Sequence, residues 1–124
     1  MSLTTEVLLS ETVYGVPSGN YDGSSTDFYG DPKPAANYFR GRGSVQTVTY
    51  DFDGFVGDVQ IEATLDSDPN SASTVWIAVD EIGSDTSTQF TGRYSTTLTG
   101  NYTWLRVRVT DFSDNIIKLI TVTY

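Results

Sequence analysis

The sequence predicts a single all-β domain over residues 1–124, an antiparallel two-sheet β-sandwich of jelly-roll-like or Ig-like type with no substantial helix. The composition favours strands, with 8 Tyr and 6 Phe in 124 residues and many threonines and valines. Apolar and polar residues alternate in several short segments, which are separated by turns containing glycine and aspartate. No segment shows a sustained helical period.

The first predicted strand covers residues 4–10 and leads into a long irregular excursion at about 11–43. The excursion is rich in Gly, Pro, Ser, Asn and Asp, residues that favour turns. We expect it to hold one or two short edge strands, such as Asn37 to Arg40. Irregular stretches of this length are uncommon in a compact domain. Two interpretations therefore stay open, a surface excursion and a binding or assembly arm.

The next two strands carry the clearest alternation. In the strand predicted for 44–52, Val48, Tyr50 and Phe52 share one face, and Asp53-Gly54 is expected to end it. In the strand predicted for 58–65, four apolar residues are expected to face inward, namely Val59, Ile61, Ala63 and Leu65. Four polar residues are expected on a solvent-exposed face, namely Asp58, Gln60, Glu62 and Thr64. The pattern is typical of a sheet with one buried face.

A polar loop at 66–73 precedes a strand predicted for 74–82, which is apolar on both faces. Two apolar faces indicate a central strand, or one that the excursion covers. After a loop at 83–87, a further strand is predicted for 89–98, and Gly100-Asn101 is typical of a tight hairpin.

The last two predicted strands cover residues 102–110 and 116–124, and a turn at 111–115 joins them. In the first of them, the alternation places Leu105, Val107 and Val109 inward.

The outward residues of 102–110 form the best candidate interface, and Trp76 is a second aromatic candidate. The outward set consists of Tyr102, Trp104, Arg106 and Arg108. Tyr, Trp and Arg commonly anchor interfaces, since each joins a large contact area to directional polar groups. Aromatic faces also stack on sugar rings. The alternative is cross-strand pairing within the fold, in which the arginines meet Glu62 or Asp58.

The sequence lacks the residues that most often carry catalysis. Histidine and cysteine are absent, which removes the commonest general base and thiolate chemistry. The stretch at 66–70 begins like an EF-hand loop, but Ser71 and Ile77 stand where glycine and glutamate are needed. A second acidic cluster, Asp51 and Asp53 with Asp58, is better interpreted as a turn. We expect no cofactor, no metal and no enzymatic activity. A small glycan-active enzyme stays as a third hypothesis, because 16 acidic residues supply many carboxylate pairs.

The formal net charge of −9 disfavours binding to nucleic acid or to an anionic membrane surface. No apolar stretch is long enough to cross a bilayer, and no signal-peptide pattern is visible. The absence of cysteine fits a protein folded in a reducing cytoplasm.

Several segments resemble virion structural proteins of T4-like phages of marine cyanobacteria. The resemblance lies in 44–52 with 54–57, in 59–65, in 99–109 with its Gly-Asn-aromatic motif, and in the closing strand that ends on 121–124. Together these segments, in this order, cover about two-thirds of the chain.

The resemblance implies a location, the virion, and supplies no catalytic residues. The predicted function is a non-catalytic virion structural or assembly module, in a fibre, baseplate, neck or capsid decoration. The expected partners are other virion proteins and the chain itself as a homo-oligomer. The alternative is a carbohydrate-binding or adhesion β-sandwich module that recognises a surface glycan of the host.

Overall fold

The computed structural model describes residues 4–40, 44–83 and 89–124. Within them, eight β-strands and one five-residue helix are found. The strands are β1 Thr5–Leu9, β2 Thr12–Val13, β3 Phe28–Tyr29, β4 Lys33–Pro34, β5 Val45–Thr64, β6 Ile77–Gly83, β7 Phe90–Thr99 and β8 Trp104–Thr123, and the helix is α1 Ala36–Arg40. The prediction of an all-β fold is confirmed. The loop predicted for 83–87 lies mostly outside the described residues.

The described strands form one antiparallel sheet with β5 and β8 side by side at its centre. On the far side of β5, β7 pairs with the first half and β6 with the second half. On the far side of β8, the four short strands β1 to β4 pair one after another. The predicted division into two sheets is not confirmed, because all eight strands are joined in a single hydrogen-bonded sheet.

This sheet folds over on itself, which gives it a sandwich-like shape. β5 has 20 residues and would span about 66 Å if it were straight. Its two ends are nevertheless bridged by four residues. The Gly100 amide donates to the Ser44 carbonyl at 2.8 Å, and the Thr103 amide donates to the Thr64 carbonyl at 2.9 Å. Because four residues reach at most about 14 Å, β5 has to bend sharply near its middle.

The bends lie where the sequence suggested chain breaks. Gly54 has a φ of 71°, and in β8 Asp111 and Asn115 have φ values of 54° and 63°. The Asn115 side-chain amide donates to the Gly54 carbonyl at 2.9 Å, and a Cβ on Gly54 would lie 2.8 Å from that amide nitrogen. The predictions that Asp53-Gly54 ends a strand and that 111–115 is a turn are therefore wrong. These residues kink β5 and β8 without ending either strand.

The hairpin predicted at Gly100-Asn101 is also wrong. β7 and β8 flank β5 on opposite sides and do not pair with each other in the described sheet. The glycine-containing segment instead crosses the open end of the folded sheet, from Thr99 beside Val45 to Trp104 beside Thr64. Local turn chemistry is the same for a hairpin and for such a crossing, so the sequence favoured the shorter connection.

The inward residues of β5 and β8 form the core, as their alternation predicted. The fully buried inward residues of the two strands include Val48, Val59, Ile61, Ala63, Leu105, Val107 and Val109. Leu65 was expected among them but is 62% exposed. It follows the last residue of β5 and extends past the core.

The excursion packs against the sheet and completes the core. Tyr21 and Phe28 are 1% and 7% exposed, and β2, β3 and β4 pair with β8. The strand predicted at Asn37 to Arg40 is wrong, since these residues belong to α1. The buried Gln46 side chain accepts the Ala36 backbone amide on its Oε1 at 3.2 Å, a tertiary contact at the start of the helix that local sequence does not reveal.

A partly buried hydrogen bond joins the two halves of the folded sheet. Tyr50 lies on the first half of β5, and its hydroxyl donates to the carboxylate of Asp80 on β6, which pairs with the second half. Burial, together with the hydrogen bond and the charge of Asp80, raises the pKa of the Tyr50 phenol well above its ordinary value of 10.0.

We expect this phenol to make the fold sensitive to alkali. Above pH 10 the unfolded chain releases the proton that the folded chain keeps, so the contribution of Tyr50 is complete below pH 10 and falls as pH rises. The loss is about 1.4 kcal/mol per pH unit. Urea unfolding between pH 8 and 11 should show a shallower decline for Tyr50→Phe than for the unsubstituted chain. The Tyr124 pKa is also raised, to about 12, so Tyr124→Phe should give a shallower decline above pH 10 as well. Equal slopes for Tyr50→Phe and the unsubstituted chain would contradict the expectation.

Candidate binding surface

The outer face of the second half of the sheet carries a group of aromatic and arginine side chains. We call it the aromatic–arginine cluster, and its members are Tyr29, Tyr38, Trp76, Trp104, Arg106 and Arg108. Trp104, Arg106 and Arg108 project outward because they alternate along β8 with the buried residues Leu105 and Val107. The excursion supplies Tyr29 from β3 and Tyr38 from α1, and Trp76 directly precedes β6.

Arg106 lies at the centre of the cluster and is held from three directions. Its guanidinium carbon lies 4.2 Å from the ring centroid of Tyr29 and 4.2 Å from that of Trp76. Its Nε donates to Glu62 Oε1 at 2.7 Å, and the two side chains are only 21% and 12% exposed. The two cation–π contacts and the ion pair fix the arginine and orient both rings.

Glu62 therefore does not lie on a solvent-exposed face, as the sequence predicted. The residue is 9% exposed, and Thr64 on the same face is fully buried. The alternation of β5 is as predicted, but the aromatic–arginine cluster covers Glu62. The proposed pairing of an arginine with Glu62 is observed. Arg108 instead lies opposite Gln60 in the ladder, with its guanidinium 5.9 Å from the Tyr29 ring centroid.

Trp104 is fixed at the edge of the cluster by two contacts. Its indole N–H donates to the Ser67 carbonyl at 3.1 Å. The Tyr38 ring lies at 65° to it, with a centroid distance of 4.9 Å. Tyr38 remains 47% exposed and Tyr29 43% exposed. The cluster therefore presents rigid aromatic rings to solvent, although Arg106 occupies one side of Tyr29 and Trp76.

The structure brings four of the five predicted site residues together and leaves one apart. Trp76, Trp104, Arg106 and Arg108 are in the cluster, whereas Tyr102 precedes β8 and packs against the core. The sequence missed Tyr29 and Tyr38. Both lie in the irregular excursion, where no periodicity indicates which face a side chain takes.

Where β5 ends and the segment before β6 runs alongside it, three exposed aliphatic side chains form what we call the aliphatic corner, Leu65, Val75 and Ile77. They are 62%, 65% and 47% exposed. Ile77 lies opposite Ala63 in the ladder, and the same antiparallel register, continued by two residues, sets Val75 opposite Leu65. The Asp66 carboxylate accepts the Val75 amide at 2.8 Å and holds the two segments together.

The prediction that 74–82 forms a central or covered strand is wrong. β6 begins at Ile77, pairs with β5 alone among the described strands, and leaves both Ile77 and Ala78 exposed.

The acidic loops use their carboxylates to hold turns. The Asp68 carboxylate accepts the Asn70 amide at 2.9 Å. The interpretation of Asp51, Asp53 and Asp58 as a turn is wrong, because all three lie in β5, where Asp51 forms a cross-strand ion pair with Arg93 of β7 at 3.4 Å. The Asp22 carboxylate accepts hydrogen bonds from the Ser24 amide, the Ser25 hydroxyl and the Ser25 amide. In that order of importance, they lower the pKa of Asp22 to about 2. Over residues 4–40, 44–83 and 89–124, no three acidic side chains gather as metal ligands would.

In the described part of the chain, no helix has the length and apolar character needed to cross a membrane.

The chain was compared with protein-family models, with curated proteins and with solved structures, and none of the three comparisons gave a match.

Proposed function

We propose that the chain is a non-catalytic structural or assembly module of a bacteriophage virion, in a fibre, baseplate, neck or capsid decoration. The resemblance of its strand segments to virion proteins supports the location. The observation that carries the assembly role is the aliphatic corner. Contiguous exposed aliphatic side chains on a folded domain are typical of a surface that another protein covers.

The surroundings of the corner support the same role. Interfaces commonly combine an apolar centre with aromatic and arginine anchors. Here the aromatic–arginine cluster and the aliphatic corner lie on opposite faces of the same edge of the sheet, because Trp76 alternates with Val75 and Ile77 along the chain. A partner that wraps around this edge would contact both. Arg106 holds its rings in place before any partner arrives, which lowers the entropy cost of binding.

Mass spectrometry of purified virions tests the location. The chain should be found at a constant ratio to the major structural proteins across preparations, and its absence from the particle would overturn the proposal.

Incorporation into particles tests the role of the corner. We expect Val75→Ser with Leu65→Ser to reduce incorporation at least tenfold, because polar side chains remove the apolar contact. The fold should survive, since both side chains are already exposed. Val16→Ser is the matched control, because Val16 is 53% exposed but lies in the excursion between β2 and β3. Normal incorporation of the double variant would show that the corner is not the interface.

The exposed rings favour a second candidate, carbohydrate binding. Tyr38 and Trp104 offer neighbouring ring surfaces of the kind on which sugar rings stack, and Arg106 and Arg108 add hydrogen-bond donors. Binding on a glycan array that Tyr38→Ala abolishes would support this candidate. Unchanged binding in Tyr38→Ala would count against it.

A further inference from the structure

The sheet has one long edge that lacks the features by which proteins usually block strand pairing. β7 has ten residues and pairs with β5 alone among the described strands. Its register with β5 is regular from Thr91 to Thr99. It contains no proline and one charged residue, Arg93. A long, regular edge with little charge is a template for another strand.

The other edges of the same sheet are protected. β6 carries Asp80 and Glu81, and its pairing with β5 is broken by a register shift. Along β8, the edge consists of strands of two to five residues, one of which ends in Pro34. Short strands, charges, bulges and proline all discourage edge pairing. In β7 such features lie only at its start, with a register shift beside Phe90 and a φ of 110° at Gly92. The remainder of the strand is left open, which favours a partner for it.

The hydrogen-bond pattern shows which groups of β7 are free to bind. The Gly100 amide donates to the Ser44 carbonyl, so Gly100 and Ser44 form a hydrogen-bonded pair. In an antiparallel ladder such pairs alternate with pairs whose amides and carbonyls point away. Counting back along β7, the outward-pointing groups belong to Arg93, Ser95 and Thr97, with Thr91 and Thr99 at the ends. The Tyr94 hydroxyl reaches the Thr91 carbonyl at 3.3 Å, as expected for a carbonyl directed to the free edge.

We propose that β7 pairs antiparallel with β7 of a second copy of this chain, about a two-fold axis at Ser95. The outward residues are symmetric about Ser95. An axis there sets Ser95 opposite itself and Arg93 opposite Thr97 of the second copy. These central pairs exchange about six backbone hydrogen bonds. The sheets of the two copies are thereby joined into one continuous sheet.

The charge distribution allows this contact in a strongly acidic protein. The net charge is −9, but none of the acidic residues lies on β7. In the proposed register Arg93 faces a threonine, so no like charges meet across the seam. Repulsion between the rest of the two copies weakens as salt screens it, so association should increase with ionic strength.

Light scattering coupled to size-exclusion chromatography tests the dimer over a range of concentration at physiological salt. The molar mass should rise from 13.6 kDa toward twice that value as concentration increases. A mass that stays at one chain up to the highest concentration would overturn the proposal.

Charge variants at Ser95 test the register. Ser95→Asp and Ser95→Lys each place like charges opposite one another on the axis, so each alone should weaken dimerisation at least tenfold. The two mixed together should form a heterodimer, which native mass spectrometry distinguishes by mass. Thr5→Asp is the matched control, because Thr5 lies on the same outer face at the opposite edge of the sheet. A dimer that withstands both Ser95 variants, or a mixture that fails to pair, would overturn the two-fold seam.

The proposed β7 seam deepens the proposed virion function and rests on it. The experiments distinguish failure of the seam from failure of the virion role. A monomer that is nevertheless found in purified virions would refute the β7 seam alone, whereas a dimer that is absent from virions would refute the virion role alone.

Discussion

Phe112→Ala is expected to lower the free energy of unfolding by about 3–5 kcal/mol, as removal of a buried phenylalanine ring does. Phe112 is fully buried beside the bend of β8. Its ring contacts four others at centroid distances of 5.2 to 6.2 Å, those of Tyr14, Tyr21, Phe28 and Phe55. The substitution would leave a cavity between the excursion and the central strands, since these rings come from both.

Urea or guanidinium unfolding, followed by tryptophan fluorescence, measures this loss. Tyr14→Ala is the matched control, because the Tyr14 ring touches Phe112 from the rim and is 44% exposed. We expect the control to lose less than half as much stability. A loss below 1 kcal/mol for Phe112→Ala would mean that the excursion does not pack on the core as the structure shows.

The strands of this fold were predictable, whereas the path between them was not. Alternation along 58–65 and 102–110 identified most of the inward apolar residues, because a half-buried strand has a period of two whatever its neighbours are. It did not show that Leu65 is exposed or that Glu62 and Thr64 are covered. Gly54 and Asn115 were recognised as irregular, but a kink and a turn use the same left-handed backbone. Only the tertiary contact between these two residues decides that β5 and β8 continue through the bend.

The candidate surface was likewise predictable only in part. The outward position of Trp104, Arg106 and Arg108 follows from the period of β8. The contribution of Tyr29 and Tyr38 depends on how the excursion folds back, and no local pattern specifies that. The virion location, the absence of enzymatic activity and the partners remain predictions, because the folded sheet does not bear on them.

Glu62 illustrates where strand periodicity stops being informative. From alternation alone it should be a solvent-exposed residue, and Glu62→Ala should then change stability by within about 0.5 kcal/mol. The structure gives a different expectation. Removing the carboxylate leaves the Arg106 charge between two aromatic rings with its Nε unpaired, so we expect a loss of about 1–3 kcal/mol.

A double-mutant cycle measures this coupling by chemical unfolding. Glu62→Leu with Arg106→Met should lose less stability than Glu62→Leu alone, because replacing both partners leaves no unpaired buried charge. Gln60→Ala is the control, since Gln60 is the preceding outward residue of β5 and its amide donates to the exposed Glu81 at 3.2 Å. The coupling should persist in high salt, since solvent ions screen a largely buried pair weakly. If Glu62→Ala instead behaves like Gln60→Ala, the ion pair contributes nothing to folding. Arg106 would then owe its position to the rings of Tyr29 and Trp76 alone.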